Sequence, residues 1–179
     1  MTIKPWKILE SQHIYKNVRI DKCELPNGMA LEGFVLEYGD WVTILAVTKQ
    51  QEVVLIRQYR HGAQKVILEL PGGAMDGENE SPMQAARREL LEETGYVAQE
   101  WIHLSTVWPC IGYADERMEY FLARGLAHQG RKLDDGEFLE VFELSLPEAM
   151  EWIRLGRIND SKTIVGLFWL EKTLTGWFK

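Results

Sequence analysis

A short apolar run that ends in a proline and two glycines, followed by a capped helix, is the feature that most restricts the fold of this chain. The run VILELP predicts a strand, and the Pro-Gly-Gly turn at residues 71–73 ends it. Ser81 suits the N-cap of a helix, Pro82 its first position and Gly95 its end. The sequence therefore predicts a strand, a turn and a helix in succession. Because the turn is poor in Cβ atoms, its backbone carbonyls can approach a ligand closely.

Strands and helices are predicted along the rest of the chain. Asn27-Gly28, between apolar alternations at residues 13–25 and 30–38, predicts a hairpin. The runs WVTILAVT and EVVLIRQY, which begin at Trp41 and Glu52, are apolar and β-branched and predict central strands. Later strands are predicted at residues 101–108, 118–126 and 137–144, and later helices at residues 147–157 and 161–173. Strands flanked by helices favour an α/β sandwich with a mixed sheet.

Length, charge and cysteine content limit the class of protein. A chain of 179 residues corresponds to about one domain, with room for a small addition. The net charge of −7 disfavours a general binder of nucleic acid or of anionic membranes, so neither partner is expected. Cys23 and Cys110 give no disulfide framework. The sequence shows no apolar run of membrane-spanning length, and its start lacks the apolar core of a signal peptide. A cytoplasmic location is therefore expected.

The predicted helix that follows Ser81 gathers carboxylates on one face. Residues three and four apart are neighbours on a helix, so Glu89 lies beside both Glu92 and Glu93. Like charges at this spacing cost roughly a few tenths of a kcal/mol per pair in a solvated helix. A divalent cation would turn that repulsion into coordination, since Mg²⁺ prefers oxygen ligands and often shares carboxylates with substrate phosphates. A solvated acidic surface is the alternative interpretation of the same residues.

Together with the loop before it, this helix resembles the Nudix box, whose pattern is G-x5-E-x7-R-E-U-x-E-E-x-G-U, where U is a bulky apolar residue. All specified positions after the first glycine match: Glu80, Arg88, Glu89, Leu90, Glu92, Glu93, Gly95 and Tyr96. Such a match is far more specific than a lone glycine-rich loop. One departure precedes it. Gly73 lies seven residues before Glu80 where the pattern has six, so the loop AMDGEN carries one extra residue.

The resemblance extends over most of the chain, to the branch of ADP-ribose pyrophosphatases and nucleoside-diphosphate-sugar hydrolases. VVLIRQYRHG and ILELPGG before the box, and GYADERMEYFLA and LPEAMEWIRLGRINDSKT after it, are similar to that branch. It implies an α/β protein with the Nudix fold, an α/β/α sandwich with a mixed β-sheet, as a hydrolase domain at residues 41–179. It also implies an N-terminal β-strand subdomain at residues 1–40, which in that branch helps to form a homodimer.

The resemblance further implies a metal site and its ligands. Glu89 and Glu93 would be the principal ligands of Mg²⁺, or of Mn²⁺ in its place. Glu92 would be a further ligand or a supporting partner, and the Gly72 carbonyl an additional ligand. Arg88 would pair with the glutamate that begins the matched part of the box, and this ion pair would hold the loop against the helix.

The implied activity is Mg²⁺-dependent hydrolysis of the pyrophosphate bond of a nucleoside diphosphate linked to a sugar, which gives a nucleoside monophosphate and a sugar phosphate. Metal ions held by carboxylates would clamp the phosphates and lower the pKa of a bound water. They would also invert the local charge, so that an acidic protein accepts an acidic substrate. Two alternatives stay open. One is a Nudix hydrolase that cleaves nucleoside triphosphates, and the other is a Nudix module that senses a nucleotide without cleaving it.

Further site residues follow from the same branch. Arg60 would reach a substrate phosphate, and Glu69, just before the Pro-Gly turn, would lie near the site. The general base would come from the acidic loop after a late strand, with Glu137 as the first candidate and Asp135 as the second. Glu116 is another acid that would approach the metals or the substrate. The alternative for the acidic loop is a solvated turn.

Aromatic residues and one loop position bear on the substrate. Trp41 and Tyr59 are candidates to stack a base, which would contribute about 1–3 kcal/mol. The alternative is that these aromatic residues belong to the core or to a dimer interface. ADP-ribose hydrolases of the branch usually carry a proline where Ile111 stands here, and Pro109 lies two residues earlier. Ile111 therefore favours another nucleotide sugar, such as GDP-mannose, over ADP-ribose.

Overall fold

The computed structural model describes residues 7–77, 79–131 and 138–176. The chain divides into two compact units, Met1–Gly39 with Trp108–Arg117, and Asp40–Val107 with Met118–Lys179. The elements are β1 (Lys7–Tyr15), β2 (Val18–Glu24), β3 (Ala30–Leu36), β4 (Trp41–Ala46), β5 (Glu52–Arg60), β6 (Lys65–Glu69), α1 (Pro82–Thr94), β7 (Tyr96–Val97), β8 (Glu100–Val107), β9 (Met118–Arg124), β10 (Ala127–His128), β11 (Leu139–Ser145), α2 (Leu146–Arg154) and α3 (Ser161–Leu174).

The first unit contains a three-stranded antiparallel sheet in the order β1-β2-β3. Strands β2 and β3 form the hairpin that Asn27-Gly28 predicted, and the Gly28 amide donates to the Leu25 carbonyl at 2.9 Å. The strand predicted over residues 13–25 is in fact parts of two strands, because Lys16 and Asn17 form a turn between β1 and β2. Both strands therefore lie in one sheet with β3.

The second unit contains parallel and antiparallel strand pairs. Strand β4 is parallel to β9, which is antiparallel to β8. Strand β5 lies between β11 and β6 and is antiparallel to both, so it is central as predicted. The other side of β4 bonds to the glycine turn, since the Val42 amide donates to the Gly73 carbonyl and the Ile44 amide to the Pro71 carbonyl, each at 2.9 Å. Strand β4 thus has backbone partners on both sides and fixes the turn.

Alternate side chains of β4 face different helices. Val42, Ile44 and Ala46 belong to a buried cluster that also contains the apolar residues of α1. Leu45 belongs to a second buried cluster, against which Trp41 also packs and which contains apolar residues of α2 and α3. Because successive side chains of a strand point to opposite faces, helices cover both faces of this sheet. The predicted α/β/α sandwich with a mixed sheet is confirmed.

The helices begin close to where the sequence predicted. Ser81 caps α1 with a capping box, in which its hydroxyl accepts from the Gln84 amide and the Gln84 side chain accepts from the Ser81 amide. Helix α2 ends at Arg154 rather than at residue 157, because Gly156 adopts a left-handed φ of 70° and terminates it. None of the helices in the described residues is both long enough and apolar enough to cross a membrane.

Candidate active site

The glycine turn and α1 approach each other so closely that a side chain in the turn would collide with its neighbours. A Cβ atom on Gly72 would lie 2.1 Å from the Val42 carbonyl oxygen, and Gly72 has a φ of 152°. A Cβ atom on Gly73 would lie 2.4 Å from a carboxylate oxygen of Glu89. Gly72 therefore lets the turn lie against β4, and Gly73 lets it lie against the acidic face of the helix.

Glu93 is the most buried carboxylate of the predicted metal ligands, with 3% of the residue exposed. It lies on the packed side of α1 with Ala86 and Leu90, which are also buried. One of its carboxylate oxygens, Oε2, accepts from the Gly72 amide at 2.8 Å. Burying a carboxylate is unfavourable unless hydrogen bonds or opposite charges compensate it. A carboxylate kept in this position is therefore a candidate functional group.

Arg88 connects the loop before α1 to the acidic face of the helix. Its Nε and Nη2 donate to the two carboxylate oxygens of Glu80 at 2.9 and 3.0 Å. Its Nη1 donates to Glu89 at 2.7 Å and to Glu92 at 3.1 Å. The hydrogen bond from Arg88 lowers the pKa of the Glu80 carboxyl, and the hydrogen bond to Glu80 raises the pKa of Arg88. The implied ion pair between Arg88 and Glu80 is present, and it also offsets repulsion along the helix.

The donor atoms at this place suit a hard divalent cation. Glu89, Glu92 and Glu93 offer carboxylate oxygens, and the turn at Gly72 offers a backbone carbonyl, which are the ligand types that Mg²⁺ prefers. In the conformation described, the carboxylates accept from Arg88 and from the Gly72 amide. Within the described ranges, no group of three or more His, Cys, Asp or Glu side chains is gathered closely enough to hold a metal ion. The residues fit the chemistry of the cation, while their side chains are engaged with protein donors.

Arg60 and Glu69 meet in a pocket of about 490 Å³ in the second unit. Strands β5 and β6 are antiparallel neighbours in which Arg60 lies opposite Lys65 and Glu69 opposite Ile56. Arg60 and Glu69 therefore share a face of the sheet, and the long Arg60 side chain extends along it to Glu69. Arg60 Nε and Nη2 donate to the Glu69 carboxylate oxygens at 2.7 and 3.0 Å. Glu69 is 2% exposed, so the guanidinium is its principal compensation. Burial alone would lower the pKa of Arg60, but its hydrogen bond to Glu69 raises it.

The two predicted stacking residues do not lie together. Tyr59 points to the opposite face of β5 from Arg60, where it is 56% exposed and lines a different pocket with Arg57. Trp41 is partly buried against the apolar cluster under α3, and the Lys162 ammonium lies 5.6 Å from the centre of its ring. Stacking of a base on either residue stays a prediction.

A family model described as the NUDIX domain matches residues 38–164. The chain belongs to the Nudix family. A methanol dehydrogenase activator of Bacillus methanolicus is 34% identical over 95% of this chain and 91% of its own. An ADP-ribose pyrophosphatase of Bacillus subtilis is 33% identical over 85% of this chain and 83% of its own. A GDP-mannose pyrophosphatase of Escherichia coli K12 is 34% identical over 76% of each chain.

The Nudix fold is also found by comparison with solved structures. The structure described as an ADP compounds hydrolase superposes on this Nudix protein with a TM-score of 0.89, covering 99% of this chain and 98% of the other. The two sequences are 23% identical, so the likeness supports the shared fold. The strand, glycine turn and helix lie within the residues that the family model matches.

The predicted roles of three acids in this Nudix protein are not tested by the described residues of the second unit. Glu137 and Asp135 lie outside the described residues. Glu116 lies in the first unit, in the segment Trp108–Arg117, where it is partly exposed. Ile111 lies in the same segment and is 81% exposed. The roles of all four residues stay predictions.

Sequence reasoning missed several residues that line the pocket of Arg60 and Glu69. They are Lys65 at the start of β6 and Asn159, Asp160, Ser161 and Lys162 at the start of α3. The similarity of the segment INDSKT to the pyrophosphatase branch was the one signal available. No spacing rule connects this segment with β5 and β6, because the contact depends on how α3 packs in the folded protein.

Proposed function

We propose that this Nudix protein hydrolyses the pyrophosphate bond of a nucleoside diphosphate linked to a sugar. A water oxygen forms a bond to one phosphorus as the bridging P–O bond breaks, and the water gives up a proton to a protein carboxylate. The products are a nucleoside monophosphate and a sugar phosphate. The observation that carries the proposal is the close contact of the Gly72-Gly73 turn with Glu89 and Glu93, in a chain related to ADP-ribose and GDP-mannose pyrophosphatases.

The carboxylates of α1 would hold a divalent cation, for which we propose Mg²⁺, or Mn²⁺ in its place. Glu89 and Glu93 are the proposed principal ligands, with Glu92 and the Gly72 carbonyl beside them. When bound, the cation supplies positive charge to the substrate phosphates and makes a bound water more acidic. Arg88 is proposed to set the positions of Glu89 and Glu92, and its hydrogen bonds to both support this role.

Outside α1, the proposed roles divide between phosphate binding and proton transfer. Arg60 would donate to a substrate phosphate, and Glu69 would hold its guanidinium in a fixed orientation through two hydrogen bonds. Glu137 is the first proposal for the general base, Asp135 the second, and Glu116 a further candidate. Support for these three acids comes from their resemblance to the pyrophosphatase branch.

Either ADP-ribose or another nucleotide sugar fits the relatives. Relatives named for ADP-ribose and for GDP-mannose are 33% and 34% identical to this chain. The replacement of the usual proline by Ile111 favours a substrate other than ADP-ribose. Tyr59 is the more exposed of the two proposed stacking residues, with Trp41 the second, and each would contact the base through its ring.

A substrate screen tests the activity. The purified protein, with Mg²⁺, is incubated with ADP-ribose, GDP-mannose, other nucleoside diphosphate sugars and nucleoside triphosphates, and the products are identified by mass spectrometry. Nucleoside monophosphate and sugar phosphate from a diphosphate sugar are expected. Faster turnover of a triphosphate would favour the triphosphate-cleaving alternative. Binding of a nucleotide without any turnover would favour the sensing module.

A second candidate function is the stimulation of a dehydrogenase. It is favoured by the Bacillus methanolicus relative, whose alignment covers 95% of this chain. The test adds the protein to purified methanol dehydrogenase and compares the wild type with Glu93→Gln. A rate increase that needs Glu93 would tie the stimulation to hydrolysis. An equal increase with both would separate the two functions, and no increase would remove the second.

We propose that residues 1–40 form a homodimer interface and that residues 41–179 form the hydrolase domain. The support is the set of large apolar side chains exposed on the sheet of the first unit, Ile8, Leu9, Ile14, Tyr15, Leu31 and Phe34. A dimer is expected by light scattering at micromolar concentration, and Phe34→Glu should shift it toward monomer. A fully active wild-type monomer would contradict this role.

A cytoplasmic location is also proposed, since only two cysteines occur in the chain.

A further inference from the structure

The guanidinium of Arg88 uses all of its donors in the conformation described. Its five N–H groups are matched by five hydrogen bonds, two to Glu80 and one each to the Ala74 carbonyl, Glu89 and Glu92. The two bonds from Nη1 are those to Glu89 and Glu92, at 2.7 and 3.1 Å. These carboxylates are also proposed ligands of a divalent cation. Arg88 and the cation would therefore share the same carboxylates.

Arg88 would lie beside a second positive charge whenever Glu89 and Glu92 hold a cation. Only 24% of the Arg88 side chain is exposed, so water surrounds it only in part. Like charges repel, and the repulsion is screened less where water is partly excluded. The hydrogen bonds from Nη1 would also weaken, because their acceptor oxygens would share negative charge with the cation. A further negative charge next to the guanidinium would offset both effects.

Asp76, in the loop before α1, places such a charge beside Arg88. Its Oδ2 lies 3.5 Å from Arg88 Nε, which is longer than the usual hydrogen-bond range of about 2.7–3.2 Å. The Asp76 side chain is 76% exposed. The carboxylate therefore pairs with Arg88 by charge, and its side chain has room to rotate closer when the bonds from Nη1 to the helix weaken.

The backbone of Asp76 is fixed next to the ion pair of Arg88 and Glu80. Its amide donates to Glu80 Oε2 at 2.6 Å, and the same oxygen accepts from Arg88 Nη2 at 3.0 Å. The preceding residue, Met75, donates from its amide to the Asp40 carbonyl at 3.0 Å, which ties the loop to the start of β4. The loop therefore holds Asp76 near the guanidinium while the side chain reaches solvent.

We propose that Asp76 is a positioning residue for the cation site, which neutralises Arg88 when Glu89 and Glu92 turn to the cation. This inference rests on the cation site of the proposed function. Asp76 acts through Arg88 and contacts neither the cation nor the substrate. Glu80 does not supply the additional charge, because both of its oxygens already accept from Arg88. Without the Asp76 carboxylate, Arg88 would have one negative partner fewer, and the site would bind a cation more weakly.

The test measures the affinity of the substrate-free protein for Mn²⁺, from the electron paramagnetic resonance signal of the unbound ion. Asp76→Asn is expected to weaken binding about two- to fivefold, which is the scale of an exposed ion pair. Asp76→Glu should keep near-wild-type affinity, because it keeps the charge. The matched control combines Asp76→Asn with Asn79→Asp, which moves the carboxylate three residues along the same loop and leaves the net charge unchanged. This control should bind as weakly as Asp76→Asn.

Urea unfolding of the metal-free proteins separates positioning of Arg88 from support of the loop. Asp76→Asn should unfold at the same urea concentration as the wild type, because the substitution keeps the backbone bond to Glu80 and the five hydrogen bonds of Arg88. A destabilised metal-free variant would overturn the role of Asp76. Wild-type Mn²⁺ affinity in Asp76→Asn, or full recovery in the double variant, would overturn it as well.

The Mn²⁺ measurement also distinguishes this inference from the proposed function. Binding that depends on Asp76, in a protein that hydrolyses no diphosphate sugar, would refute the proposed function and leave the role of Asp76 in place. Hydrolysis at the wild-type rate and Mn²⁺ requirement in Asp76→Asn would overturn only the role of Asp76. A wild-type protein that binds no Mn²⁺ would overturn both.

Discussion

Replacing Glu93 by glutamine should remove most of the hydrolytic activity and leave the fold intact. Glutamine has nearly the same shape as glutamate, and its amide oxygen can still accept the hydrogen bond that Gly72 now donates at 2.8 Å. The change therefore removes one negative charge from a residue that is 3% exposed and lies against the glycine turn. The lost charge weakens the proposed grip on a divalent cation, while packing around the residue is kept.

The size of the effect follows from the burial of this carboxylate. A hydrogen bond or ligand contact to a charged group contributes about 1.5–3 kcal/mol. A loss of about 2.7 kcal/mol in the transition state corresponds to a rate about 100-fold lower, since each 1.36 kcal/mol is tenfold. Burying a neutral amide costs less than burying a carboxylate, so the free energy of unfolding should change by less than about 1 kcal/mol.

The assay is steady-state hydrolysis of a nucleoside diphosphate sugar at several Mg²⁺ concentrations, together with urea unfolding of the same protein. Glu92→Gln is the matched control, because its carboxylate is 27% exposed and paired with Arg88 on the surface of the helix. A smaller loss is expected for the control. Near-full, Mg²⁺-dependent activity of Glu93→Gln would refute the assignment of the carboxylate helix. A loss of stability above about 2 kcal/mol would attribute the lost activity to the fold instead.

Three further predictions concern the base, the pocket and the loop pair. Glu137→Gln should hydrolyse the substrate slowly at every Mg²⁺ concentration, because a general base is lost. The activity of Glu89→Gln should instead be partly restored by added Mg²⁺ or Mn²⁺, because a metal ligand is lost. Equal restoration in both variants would contradict the assignment of Glu137 as base and Glu89 as ligand. Thr163→Val leaves the buried Leu70 amide without its acceptor and should lower the free energy of unfolding by about 1–3 kcal/mol in a urea titration. An unchanged free energy of unfolding would contradict this role of Thr163. Arg88 lowers the pKa of Glu80, so this pair stabilises the protein above about pH 4.5 and loses its effect as the pH falls further. Unfolding of Glu80→Gln should accordingly depend less on pH below that value, and an unchanged dependence would contradict the linkage.

Local signals in the sequence predicted α1 well. A capping serine, a proline at the first position and a terminal glycine act within a few residues of the helix ends, and the structure shows each in its expected place. The central strands were likewise predictable, because the runs at Trp41 and Glu52 are short, apolar and β-branched, as buried strands are. These features depend on residues that are close together in the chain, so the sequence alone predicts them.

Features that depend on weaker or distant signals were missed. The turn at Lys16 and Asn17 has no Gly or Pro, and apolar residues recur on both sides of it, so two strands looked like one. Lys162 joins Glu69 in one pocket because Thr163 bonds to Leu70 across the fold. No period or spacing within either segment carries that contact. A single sequence therefore indicated Arg60 and Glu69 by resemblance and left their third partner unseen.

The charges of the second unit explain how a protein with a net charge of −7 can accept a diphosphate. On and before α1, four carboxylates pair with the Arg88 guanidinium, those of Asp76, Glu80, Glu89 and Glu92. With Glu93 beside the glycine turn, these groups carry a formal charge of −4 from one minus five. That face repels a phosphate until a cation from solution reverses its sign. The neighbouring pocket carries a formal charge of +1 from its own side chains. Under the proposed function, the pocket attracts one phosphate with its own cations and a bound metal is needed for the other, so metal binding would be a condition for holding the reacting bond in place.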